Sequence, residues 1–98
     1  MRIAMLMNWE GVTQEQYDQV RSIVNWESDI PNGAVLHVAT HDGNALRVTD
    51  VWESGEALNN FVQDRLMPGV AKVGITSQPK IEVYPVHAIF TPAFRPIK

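Results

Sequence analysis

Two rhythms of hydrophobic and polar positions alternate along the chain. Residues 2–8 are a short apolar run, and the Glu10-Gly11 that follows favours reading it as a strand. Thr13 and Gln16 then form a Thr-x-x-Gln capping box ahead of Tyr17, Val20, Ile23 and Val24, which recur at helical spacing. This predicts a helix running to about Trp26. Residues 29–33, Asp-Ile-Pro-Asn-Gly, are dense in turn formers and close the first half.

Residues 34–40 and 45–51 read as strands separated by His41-Asp42-Gly43-Asn44, where Asp-Gly signals a two-residue hairpin turn. Ser54 is a natural N-cap, and Leu58, Phe61, Val62 and Leu66 follow as an apolar helical stripe. Pro68-Gly69 should break or kink that helix, with residues 70–73 adding another turn. A last strand over residues 80–90 must place Pro85 at an edge or a bulge. The tail, residues 91–98, holds two prolines and is expected to be extended against a partner.

The order β-α-β-β-α-β is the split βαβ pattern, an α+β ferredoxin-like layout with a four-stranded antiparallel sheet, in one domain spanning residues 1–98. Right-handed crossovers put both helices on one face, and strands 1 and 3 are expected side by side and parallel. With the turn at Asp42-Gly43, one sheet face carries Val35, His37, Ala39 and His41 with Leu46, Val48, Asp50 and Trp52. The other carries Leu36, Val38 and Thr40 with Ala45, Arg47, Thr49 and Val51, and strand 1 divides Ala4 and Leu6 from Ile3, Met5 and Met7. Both faces are substantially apolar and two helices cover only one. The second face is therefore expected to pack on another copy, giving a homodimer.

Composition changes this picture little. Ninety-eight residues with a formal charge of −3 and scattered basic side chains provide no stripe for nucleic acid. No apolar run reaches the ~20 residues of a membrane span, and the short apolar start is not a signal peptide, so a cytoplasmic location is expected with no membrane partner. The absence of cysteine removes disulfides and thiol chemistry. Three histidines without matching carboxylates make a poor zinc set, so no metal is expected. No phosphate-binding glycine loop or nucleophile elbow occurs.

The candidate chemistry lies on the histidine face. Asp50 in mid-strand on a half-buried face costs several kcal/mol unless paired. His37, whose side chain ordinarily titrates close to neutrality, is the plausible base, oriented by Asp50. Asn8 is expected beside Trp52, given parallel strands. Tyr17, Trp52, Phe61 and Met67 would wall a pocket between sheet and helices, suited to a small, flat, mostly apolar aromatic ligand. Each has a plainer role: His37 as a satisfied buried histidine, Trp52 as core filling, Asn8 as a turn cap. His41, beside the turn, is expected in solvent, and His87 at the dimer contact.

The stretch Val51-Trp52-Glu53-Ser54-Gly55-Glu56-Ala57-Leu58, with Gly11-Val12-Thr13 before the first helix and Arg65-Leu66-Met67-Pro68 in the second, resembles the antibiotic-biosynthesis-monooxygenase-like proteins of the dimeric α+β-barrel superfamily over residues 1–90. The resemblance implies a dimeric α+β barrel and leaves the reaction open among cofactor-free oxygenases of polyketides, haem-degrading enzymes, cyclases and isomerases. Haem-degrading members are similar in pairing an asparagine late in strand 1 with a tryptophan ending strand 3, as Asn8 and Trp52 would. Their haem-ligating histidine on helix 2 has no counterpart in residues 54–74. No cofactor is therefore expected. Two readings stand: a cofactor-independent monooxygenase or isomerase/cyclase with His37 as base and Asn8 and Trp52 positioning an aromatic substrate, or a non-catalytic dimeric binding or accessory module.

Overall fold

The computed structural model describes residues 1–94. Its order is β1 (Ile3–Glu10), α1 (Gln14–Val24), β2 (Ala34–His41), β3 (Ala45–Trp52), α2 (Gly55–Phe61), a π-helical turn (Val62–Leu66), α3 (Met67–Val73) and β4 (Lys80–Pro85). The four strands form one antiparallel sheet in the order β2-β3-β1-β4. The ferredoxin-like α+β layout is thus as the sequence implies, but strands 1 and 3 are antiparallel rather than parallel. Each crossover helix joins two strands that run the same way and leaves a gap between them. β3 fills the first gap, and its hairpin with β2 forces it to run against both neighbours.

The capping box forms as expected: the Thr13 hydroxyl accepts from the Gln16 N–H at 3.0 Å, and the Gln16 amide oxygen accepts from the Thr13 N–H at 3.0 Å. α1 ends at Val24, before Trp26, because Asn25 turns left-handed (φ 60°). Ser54 caps α2 by accepting from the Ala57 N–H. Pro68 does not break the helix that follows. A proline there would strike the carbonyl four residues back, and the wider π turn, closed by the Met67 N–H on the Val62 carbonyl, removes that conflict. Gly69 then lets α3 close on α1, since a Cβ at this position would lie 2.6 Å from the Val24 side chain.

The β2–β3 turn is wider than a two-residue hairpin. His41 pairs with Leu46, and the Asp42 carboxylate accepts from the N–H groups of Asn44 and Ala45, both at 2.9 Å. The register therefore moves by two residues, so His37 faces Asp50 and Ala39 faces Val48, while the side chains of residues 36–41 keep their expected face. Val35 sits in an irregularity between Ala34 and Leu36.

β4 stops at Pro85, at the sheet edge, instead of continuing to residue 90. Thr91 to Phe94 bend into a turn rather than extending, with the Phe94 N–H on the Thr91 carbonyl at 3.0 Å. The rest of the tail, residues 95–98, lies outside the described residues. The core sits between the sheet and the helices: Met5, Met7, Trp9, Leu46, Val48 and Trp52 from the strands meet Val12, Val20, Val24, Leu58 and Val70. No helix among the described residues is long and apolar enough to cross a membrane.

Candidate functional site

Above the β2–β3 half of the sheet, the core opens into a cavity of about 230 Å³. Met5, Met7, Val48 and Trp52 form its floor, and Val20, Leu58, Phe61, Val62, Leu66 and Val70 its roof. The π turn places Val62 and Leu66 on this roof together with Phe61 of α2. Trp26, Ile30, Pro31 and Val35 form the rim, where Ile30 is 71% exposed. The lining is apolar apart from one group of polar side chains.

That group is a continuous hydrogen-bonded chain. Asp50, 5% exposed, is the buried charged residue among the described residues. Its Oδ1 lies 2.6 Å from His37 Nδ1, and its Oδ2 accepts from the Trp52 indole N–H at 3.1 Å. His37 Nε2 lies 2.7 Å from the Tyr17 hydroxyl. The cross-strand register dictates the first contact, and the capped first turns of α1 bring Tyr17 over β2 for the last. The Tyr17 and His37 rings are nearly coplanar in orientation, 6° apart, and Trp26 meets His37 edge-on with ring centroids 5.2 Å apart. Trp52 and Phe61 pack at 5.2 Å deeper in the cavity.

The tautomer follows from Asp50. Both of its oxygens face N–H groups, as a carboxylate requires, so His37 Nδ1 donates and Nε2 is left as an acceptor for the tyrosine hydroxyl. Burial pushes the Tyr17 phenol above its ordinary value, and Arg21 one turn along opposes this only in part. The phenol is therefore neutral at physiological pH. The arrangement is an imidazole held by a buried carboxylate and joined to a hydroxyl at the mouth of an apolar cavity.

The structure thus brings together His37, Asp50, Trp52, Tyr17 and Phe61. It does not bring in Asn8 or Met67. Asn8 pairs with Arg47 and Lys80 and shares the outer sheet face with Ala4 and Leu6, whereas Trp52 pairs with Ile3 at the other end of β1. Only a parallel orientation of β1 and β3 would set Asn8 beside Trp52. Met67 packs against the core, and Leu66, displaced by the π turn, takes its place on the wall.

Trp26 joins the site without having stood out in the sequence. Its signal is an aromatic directly after an asparagine able to turn left-handed, which folds such a side chain back on the helix end. His41 is not in solvent but bridges the Val12 carbonyl at 2.7 Å and the Gly43 N–H at 3.0 Å. Among the described residues no three histidine or carboxylate side chains converge as a metal set.

No family model matches the chain, and no curated protein sequence matches it. Solved structures do. A protein of unknown function from Nitrosomonas europaea superposes with a TM-score of 0.73 at 17% identity, over 95% of this chain and 96% of that one. SnoaB, a cofactor-independent oxygenase from Streptomyces nogalater, gives 0.65 at 13% identity over 95% and 98%. A proposed antibiotic biosynthesis monooxygenase from Caulobacter crescentus gives 0.66 at 14% over 89% and 91%. The chain therefore has the α+β fold of the antibiotic-biosynthesis-monooxygenase-like proteins.

Proposed function

We propose that this protein is a small-molecule enzyme that removes a proton from a flat, mostly apolar aromatic or enolisable substrate, with Asp50 holding His37 as the proton acceptor. The observation that carries this reading is the Asp50–His37–Tyr17 chain ending at the mouth of an apolar cavity. His37 is held through Nδ1 by a buried carboxylate while its ring, with a third of the side chain exposed, lines the opening, as a proton acceptor reached from the cavity requires. The anion formed would serve either a cofactor-independent monooxygenase, in line with the fold shared with SnoaB, a cofactor-independent oxygenase, or an isomerase or cyclase. At about 230 Å³ the cavity is smaller than the roughly 300–1,000 Å³ of sites for drug-sized ligands, which favours one or two fused rings over a large polyketide.

The outer sheet face supports a homodimer as the working form. Leu6 and Val38 are 42% and 45% exposed there, and Tyr84 is 51% exposed beside them. A second copy would cover these three side chains. A cytoplasmic location accords with the absence of a membrane-spanning helix among the described residues.

The test uses 2-tetralone, a bicyclic enolisable ketone, in deuterated water. Wild-type protein should accelerate exchange of its α-hydrogens, read by NMR, and His37→Gln should lower that acceleration about 100-fold or more, as expected for loss of a general base. Saturable binding of the ketone with no exchange above the His37→Gln level would instead establish a non-catalytic binding module.

A further inference from the structure

We propose that Tyr17, not His37, is the group that meets the substrate, its hydroxyl relaying the abstracted proton to His37. This rests on the proton-abstraction reading above. Asp50 occupies His37 Nδ1 at 2.6 Å, so Nε2 is the one ring nitrogen free to take a proton, and the Tyr17 hydroxyl already stands on it at 2.7 Å. The two rings lie nearly in one plane, 6° apart, with the hydroxyl pointing at Nε2, so it takes the single in-plane lone pair of that nitrogen. A substrate in the cavity meets the Tyr17 oxygen instead, whose lone pairs are not used by the bond it donates to Nε2.

The step is a paired transfer. The substrate's C–H or O–H bond breaks and its proton bonds to Tyr17 Oη, while the original Oη–H bond breaks and that proton bonds to His37 Nε2. The electron pair stays on the substrate as an enolate or phenolate. Tyr17 ends neutral, and the new imidazolium lies against the Asp50 carboxylate, which offsets its charge. A phenol that burial keeps protonated gains acceptor strength only as it gives its own proton away, so the two transfers are coupled. Tyr17 is then a catalytic residue, and Asp50 a positioning residue acting through His37.

Tyr17→Phe separates this from direct abstraction by His37. If Tyr17 relays the proton, turnover of the ketone by the variant should fall about 100-fold or more at saturation, with KM little changed. If His37 acts directly, removing the hydroxyl exposes Nε2 and exchange is retained or rises, which overturns the relay while leaving the enzyme reading intact. A second readout needs no turnover. Nitrogen-15 NMR of His37 should show a protonated Nδ1 and an unprotonated Nε2 that responds to Tyr17→Phe, and the opposite tautomer overturns the relay even in a folded, active protein. If wild-type protein binds the ketone without exchanging it, the enzyme reading itself fails, and the relay fails with it.

Discussion

Asp50 carries two donors on one side chain: His37 on Oδ1 and the Trp52 indole on Oδ2. A carboxylate has the acceptors for both, whereas an amide has one oxygen. In Asp50→Asn the amide oxygen keeps the indole and its NH2 faces His37 Nδ1, which accepts only in the opposite tautomer, with the proton on Nε2 where the acceptor should be. The expected cost is about 1–3 kcal/mol in denaturant unfolding, together with a large fall in the saturated rate of the exchange reaction. Asp50→Glu should not rescue it, because a longer side chain cannot keep both contacts from mid-strand. The alternation of β2 and β3 makes His37, Asp50 and Trp52 legible as one face, since a shift of two residues leaves side-chain direction unchanged. Asn8 is not legible in the same way. Its neighbour depends on whether β1 and β3 run together, which its own residues do not say but the connectivity does: the crossover makes β1 and β2 parallel, and the hairpin sets β3 against both.

At the scale of elements, the β2–β3 hairpin shows how a turn sets the site. A two-residue turn would put Val48 opposite His37; the wider turn, gathered on Asp42, puts Asp50 there. Asp-Gly marks a turn but not its length, because an aspartate that accepts two backbone N–H groups stabilises a longer loop equally well. The Arg47 guanidinium, and behind it the N–H groups of Ala45 and Asn44, hold the Asp42 carboxylate well below the usual carboxylate range. A group whose pKa is depressed by folding contributes stability that is present above its unfolded pKa, near 4, and is lost as pH falls through its folded value. The wild-type melting temperature should therefore approach that of Asp42→Asn as pH is lowered from about 5 to about 2, with the two furthest apart near neutrality. A constant difference across that range would mean that the charge on Asp42 does not hold the turn. The helical half is legible through its caps and apolar stripe, but not through Pro68, whose effect depends on whether the chain widens by one residue before it.

Across the whole molecule, the helices bury one sheet face and leave the other bare. Leu6 and Val38 stand at its centre, on neighbouring sides of β3, with Leu36 and Thr49 between and beside them. Two apolar faces and two helices are readable from the alternation of residues alone, which is why a partner copy can be expected without any knowledge of strand order. What alternation cannot reveal is the polar detail of that side of the sheet, where Asn8 Oδ1 is buried with no hydrogen-bond partner among the described residues. If a second copy covers this surface, the protein in solution should run at twice its 11.0 kDa in light scattering. Val38→Glu should convert it to one copy, because each face would then bury a carboxylate against apolar side chains, at a cost of several kcal/mol per dimer. The same substitution points away from His37 and the cavity, so circular dichroism of the variant should keep its helical signal. A wild-type mass of one chain would leave Leu6 and Val38 as ordinary exposed residues, and the proposed Asp50–His37–Tyr17 relay would then have to work within a single copy.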